Sequence, residues 1–287
     1  MRFRLLGLDK IAREPLPRLD WLVEPVIGWG DRAVLAGDAG SFKSWLLLHL
    51  SLFLALGRSP WLGHPISSPR RILYIDEEMP EWEVRRRLKR IMAAEGIEPD
   101  TPGLANLQIS NRAGFTITDH DLITVRTLFD AFNPEVIVIE TVARVLLGSE
   151  NSSADVARMW RSLSERLQDE RRTLILSHHI NKPNPDESGL DPREPRHRIR
   201  GSSDILAGAD TVLGLVRLND YESRLVSLKP RFSKPFKPFV VTLHSHEEPE
   251  QEMSPITVVR LEKSRFLETV RAPENPPGAP FVPPIRL

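Results

Sequence analysis

Short apolar runs and longer amphipathic stretches alternate along most of this chain. Arg32 to Ala36 is a brief apolar run that ends in Gly37 and predicts a strand. Ser44 to Leu56 is apolar on nearly every side, the mark of a buried helix, and Gly57 ends it. Arg71 to Ile75 predicts a second strand with Asp76, Glu77 and Glu78 at its C-terminal end. Pro80 then opens a helix that runs to about Glu95 with its Arg-rich face outward. Asn106 to Ser110 reads as a third strand, and a helix capped by Thr118 or Asp119 follows to about Phe132. Glu135 to Ile139 and Thr173 to Ser177 are unalternated apolar strands on either side of a helix from Asn151–Ser153 to about Glu170. Strands without polar alternation, each followed by a helix, belong to a mostly parallel sheet covered on both faces. Beyond Gly201 the pattern changes: Asp210 to Arg217, Ser223 to Leu228, Phe239 to Leu243 and Ile256 to Leu261 predict consecutive strands. These extend the sheet as an antiparallel meander. The expected fold class is α/β, with an N-terminal arm over 1–30, one domain over 31–265, and a tail over 266–287 that holds six prolines from Ala272 onward.

Charge changes this picture little. Lys+Arg and Asp+Glu both number 39, so bulk attraction to a polyanion is excluded while a local basic patch is not. The absence of cysteine excludes disulfides, thiolate catalysis and Cys-ligated zinc, and suits a reducing compartment. The longest apolar run, Trp45 to Leu56, is broken by His49 and Ser51 and is well short of the ~20 residues a membrane span needs. The first ten residues lack a signal-peptide core. A cytoplasmic protein with no membrane partner is expected.

The chemistry gathers at predicted strand ends. Gly37-Asp38-Ala39-Gly40-Ser41-Phe42-Lys43-Ser44 joins the first strand to the first long helix, and Trp45 follows. Glycines there let backbone N–H groups turn inward around phosphate oxygens, Lys43 neutralises β/γ charge, and the Ser44 hydroxyl suits a magnesium ion. Phe42 stands where this pattern usually has glycine, which works if its φ is negative and its ring points away from the phosphates. The plainer reading is a Gly-containing turn that only looks like a phosphate loop. One of Asp76, Glu77 and Glu78 is a candidate to deprotonate an attacking water. As an ordinary feature, the three are an acidic helix start. Glu140 closes an apolar strand where an acid holds magnesium through water, with Thr141 beside it; its alternative is a buried partner for an arginine. Of His178 and His179, one is expected to sense the γ-phosphate and the other to pack, since neighbours on a strand face opposite ways. Lys229 and Arg231, two apart on an extended segment, are either cations inserted into a neighbouring subunit's site or the charged guard of an edge strand.

These pieces, in this order over residues 20 to 245, resemble the RecA/DnaB-like P-loop ATPases, more narrowly the RepA-type branch of hexameric replicative helicases. GDAGSFKSWLLL, RILYIDEEMP, VIVIETVARVLLGSENSSADV, TLILSHHINKP, RGSSDILAGADTVLGLVR and LKPRF carry the likeness. The resemblance implies a RecA-like core that binds ATP and Mg2+. It matches Glu78 to the catalytic glutamate, with Glu77 as fallback, Glu140 to the metal-holding acid, where the family usually has Asp, and His179 (or His178) to the sensor. Lys229 and Arg231 match the trans-acting cations, with Arg200 a second candidate. It further implies a homo-oligomeric ring, most simply a hexamer, with single-stranded DNA as partner. Channel loops would span Ala143–Ser153 and Asn181–Arg200, offering Arg144, Lys182, Arg196, Arg198 and Arg200 to phosphates. Neither loop holds an aromatic residue for base stacking. An ATPase that loads or regulates other proteins, and a nucleotide-binding module without turnover, remain open.

Overall fold

The computed structural model describes residues 5, 7–15, 19–167, 172–180, 203–248 and 256–266. A short helix α1 (Leu8–Arg13) precedes a small hairpin of β1 (Trp21–Val23) and β2 (Ile27–Gly28). The alternating part then runs β3 (Arg32–Gly37), α2 (Lys43–Leu56), β4 (Ile72–Asp76), α3 (Glu81–Ala94), β5 (Leu107–Asn111) and α4 (Asp119–Ala131). It continues with β6 (Val136–Glu140), α5 (Val142–Val145), α6 (Ser153–Arg166) and β7 (Thr173–His179). After the short helix α7 (Asp204–Gly208) come β8 (Thr211–Arg217), β9 (Glu222–Pro230), β10 (Phe239–Glu248) and β11 (Ile256–Phe266).

Among the described residues, nine strands form one sheet in the order β11-β10-β9-β8-β3-β7-β6-β4-β5. From β8 to β5 every pairing is parallel. From β8 to β11 every pairing is antiparallel, so the meander is as expected. The crossing helices dictate this split: strands joined through helices run parallel, and strands joined directly turn back.

Alternate residues of the parallel strands feed two cores. Ala33, Leu35, Ile72, Tyr74, Val136, Val138 and Ile175 pack with α2 and α3 on one face. Val34, Ala36, Leu73, Ile75, Ile137, Ile139, Leu174 and Leu176 pack with α4, α5 and α6 on the other. This alternation is the period-2 geometry of a strand, and it fixes which face each strand-end side chain joins. Eleven of the fourteen residues of α2 are buried, which is why that segment reads as apolar all round. Leu22, Val23, Val26 and Ile27 of the hairpin region join the α2 core, so that part of the N-terminal arm packs as core. The α3 and α4 starts are as expected, with Pro80 preceding α3 and the Thr118 hydroxyl accepting from the Asp121 N–H. Short α5 has no signal in the apolar pattern. β7 extends through both histidines rather than stopping at Ser177. The Pro-rich tail lies outside the described residues. Among those described, no helix is long and apolar enough to cross a membrane.

Candidate active site

Because β3, β7, β6 and β4 are parallel neighbours, their C-terminal tips lie along one edge of the sheet. The Gly37–Ser44 turn leaves the tip of β3 there. A Cβ on Gly37 would come within 2.7 Å of both the Leu215 carbonyl and Ser41 Oγ, so this position admits no side chain. Gly40 has φ 72°, the left-handed region that glycine enters freely. Phe42 also has a positive φ, 70°, which corrects the expected negative value. It takes up the conformation of the glycine it replaces, at a steric cost of about 1–2 kcal/mol. Its carbonyl accepts the first helical bond of α2, from the Leu46 N–H at 2.8 Å. Ser41 is fully buried and its hydroxyl donates to the Asp38 carbonyl at 2.8 Å, which closes the turn.

Lys43 is buried, and its ammonium donates to the carbonyls of Gly37 at 2.9 Å and Asp38 at 2.8 Å. Burial lowers its pKa, opposed by the negative charges of Glu140, Glu78 and Asp38. Trp45 leans the other way, with the Arg87 guanidinium 4.8 Å over its ring.

Glu140 ends β6 beside Asp76 at the end of β4, the two being paired in register. By strand alternation both belong to the face that α2 covers, so Glu140 meets the start of that helix. Ser44 donates to one of its carboxylate oxygens and the Tyr74 hydroxyl to the other. Burial pushes the Glu140 carboxyl up to about 7; the hydrogen bonds from Ser44 and Tyr74 pull it down, and the charges of Asp76 and Glu78 push it up again. Asp76 is also raised, chiefly by burial. One of its oxygens accepts from the N–H groups of Glu78 (2.8 Å) and Met79 (2.9 Å). The other, Oδ2, is buried without a hydrogen-bond partner among the described residues, as is Thr141 Oγ1. A hydroxyl and two carboxylates, short of positive charge and with an oxygen unspent, are the hard donor set that magnesium takes, so the residues fit that ion.

Glu77 and Glu78 part company. The Glu77 carboxylate accepts from the N–H groups of Ala113 and Gly114, both at 3.1 Å, and so ties down the loop after β5. The Glu78 side chain is half-buried and close enough to act on the charges of Lys43, Asp76 and Glu140. Its backbone is held from behind. Arg112 donates to the Glu78 carbonyl through Nη2 at 2.6 Å and Nε at 3.2 Å, and Asn111 Nδ2 donates to the Met79 carbonyl at 2.8 Å.

His179 is level with Gly37 on the neighbouring strand, and His178 with Ala36. Alternation puts His179 on the α2 face with Glu140 and buries His178 on the α5–α6 face. Lys229 and Arg231 lie elsewhere. Lys229 pairs with Val212 near the start of β8, whereas Gly37 pairs with Leu215 further along, so these cations are at the opposite end of the strands from their own chain's turn. Lys229 donates to the carbonyls of Leu206, Ala207 and Ala209 at the end of α7, and Arg231 pairs with Asp210 at 2.6 Å. Arg144 is exposed on α5. Lys182, Arg196, Arg198 and Arg200 lie outside the described residues.

Sequence reasoning missed four contributors. Tyr74 looks like core until its hydroxyl meets Glu140. Asn111 ends a strand that carries no motif, and Arg112 follows it. Arg217, at the tip of β8, donates its N–H to Asp38 at 3.1 Å and puts its guanidinium 3.3 Å from where a Gly40 Cβ would stand. One signal was available: residues one past an apolar strand's end collect at the same sheet edge as the Gly37–Ser44 turn.

The AAA_25 family model, an AAA domain, matches residues 2–185. Among solved structures the chain is similar to that of a DnaB-like replicative helicase described with its interactions with primase, with a TM-score of 0.56 and 13% identity over 75% of this chain. It spans 57% of that helicase chain. It is also similar to the crystal structure of the RadB recombinase, with a TM-score of 0.52 and 15% identity, over 75% of this chain and 88% of that one. At such identities the likeness is one of fold, the RecA-like α/β core. No curated protein matches in sequence.

Proposed function

The chain belongs to the AAA_25 family of AAA domains and carries a RecA-like P-loop ATPase fold; on that premise we propose that it hydrolyses ATP with magnesium, as a ring of identical chains, to move along single-stranded DNA in the cytoplasm. The observation that supports the reading best is the meeting of Lys43, Ser44, Glu140 and Glu78 at one sheet edge. The amides of the 38–44 turn and the Lys43 ammonium hold the β- and γ-phosphates. Ser44 and Glu140, with Asp76 beside Glu140, would hold the magnesium ion, which would supply positive charge to the transferring phosphoryl group. Glu78 accepts a proton from the water whose oxygen bonds to the γ-phosphorus. The bond from that phosphorus to the bridging oxygen breaks, and ADP and phosphate leave. Arg112 and Asn111 keep the Glu78 loop still while this happens. His179 registers loss of the γ-phosphate and passes it to the segment that follows β7. Lys229 and Arg231 act on the neighbouring chain's nucleotide; for Arg231 this means exchanging Asp210 for phosphate.

The test is the steady-state ATP hydrolysis rate of the full chain with and without a single-stranded oligodeoxynucleotide, beside its solution mass with nucleotide. Stimulation together with a ring-sized mass supports the motor. Hydrolysis indifferent to DNA points to an ATPase that works on proteins, and binding without hydrolysis to a nucleotide-switched module.

A further inference from the structure

Helix α3 leaves the Glu78 loop with one face turned to solvent. Trp82, Arg85, Arg86 and Lys89, spaced i, i+3, i+4 and i+7, are all exposed, a stripe about 10 Å long. Trp82 is 65% exposed, rare for so large an apolar surface, and the Arg86 guanidinium sits 5.6 Å from its ring centre. The helix holds five cations, Arg85, Arg86, Arg87, Lys89 and Arg90, against the two carboxylates Glu81 and Glu83. Glu81 pairs with Arg85, and Glu83 is shared between Arg86 at 2.6 Å and Arg87 at 2.8 Å. Lys89 has no ion-pair partner among the described residues. Arg90 is held below its ordinary range, first by partial burial and then by Arg86, with Arg87 adding to it. Positive charge is thus in excess on a face that also offers an exposed indole.

Arg87 turns inward over Trp45, so the stripe is distinct from the nucleotide site. A strand of unpaired nucleotides complements it on both counts: phosphates take up the uncompensated charge, and a free base face stacks on the ring. A duplex, whose bases are stacked internally, satisfies only the first.

We propose that the Trp82–Arg85–Arg86–Lys89 face of α3 binds single-stranded nucleic acid, with Trp82 as a stacking platform. This contact lies outside both channel loops, which carry no aromatic residue. It does not depend on hydrolysis. Trp82 follows Glu78 by four residues, so a strand held here lies next to the loop that carries the proposed base.

The test is fluorescence anisotropy of a labelled oligothymidylate with the full chain, without nucleotide, over a series of salt concentrations. Trp82→Ala is expected to weaken binding about tenfold, Trp82→Phe to restore most of it, and Lys89→Glu to weaken it and flatten the salt dependence. Lys43→Ala, which tests the ATPase reading, is expected to bind the oligonucleotide as the wild type does. Basal ATP hydrolysis and unfolding temperature of the Trp82 variants are expected to match the wild type. No binding by the wild type, full binding by Trp82→Ala and Lys89→Glu, or equal loss towards a duplex of the same length would each overturn the proposal. So would a changed solution mass in Trp82→Ala, which would make this face a contact between copies of the chain.

Discussion

The two ends of the central strands treat charge in opposite ways. At the tips of β4 and β6, Asp76 and Glu140 are buried side by side, and burial raises both carboxyls. Lys43, the cation beside them, spends hydrogen bonds on two carbonyls, and Asp76 keeps an oxygen without a partner. At the far end Asp210 is also buried, and burial alone would raise it too. There Arg32 grips it with two guanidinium bonds of 3.1 and 3.2 Å and a backbone N–H, Arg231 adds a third cationic contact, and the carboxyl is held below its usual range. One end is short of positive charge and the other has its carboxylate fully matched. A divalent cation would improve the balance at the unmatched end; the matched end is complete as it stands, and its cations serve the fold first. Natural sites often trade stability for function in this way.

Exchanging the two carboxylates for neutral groups sharpens the contrast. Glu140→Gln is expected to lower turnover by about a hundredfold or more and to abolish the rise in unfolding temperature given by magnesium with nucleotide. The unloaded chain is expected to keep its stability to within about 1 kcal/mol, because an uncompensated buried charge is removed. Asp210→Ala is expected to do the reverse to the unloaded chain and destabilise it by about 2 kcal/mol, since it strands Arg32 and Arg231. Denaturant unfolding of both variants checks the pair; equal losses would erase the distinction drawn here. The Asp210 pairing also sets a pH signature. Its folded pKa lies below the unfolded value, so its contribution is complete above about pH 4 and is lost as pH falls through the folded value. The stability gap between wild type and Asp210→Asn is therefore expected to narrow only below about pH 4; narrowing already at pH 6 would reassign the effect. The smallest change expected is from Phe42→Gly. Relief of the positive φ offsets the entropy glycine adds to the unfolded chain, so ATP affinity and stability are both expected to stay within a few-fold or about 1 kcal/mol.

Much of this is legible in the sequence. The strand and helix order follows from apolar runs, and the antiparallel meander from the consecutive strand patterns from Asp210 onward with no helical pattern between them. Lys43, Ser44 and Glu140 stand out as candidates because phosphate and metal chemistry favours a lysine and a hydroxyl where a helix starts after a glycine turn, and an acid at a strand end. What was not legible depends on contacts between distant segments. What separates Glu77 from Glu78 in the structure is the Ala113 and Gly114 amides, more than thirty residues away, which donate to the Glu77 carboxylate. Tyr74 resembles any aromatic of a buried strand, because nothing local says that its hydroxyl reaches Glu140. Side-chain type argues for a negative φ at Phe42, whereas the structure gives it 70°, immediately before the first residue of α2. The short helix α5 follows Glu140 too closely to show a period.

The most direct test of the site is ATP binding and ATP hydrolysis measured side by side on Glu78→Gln and Glu77→Gln. The account predicts that Glu78→Gln binds ATP as tightly as the wild type while turnover falls by about two to four orders of magnitude. Glu77→Gln is predicted to lose loop stability and retain most of its turnover. Undiminished hydrolysis by Glu78→Gln, with the loss appearing in Glu77→Gln instead, would contradict it.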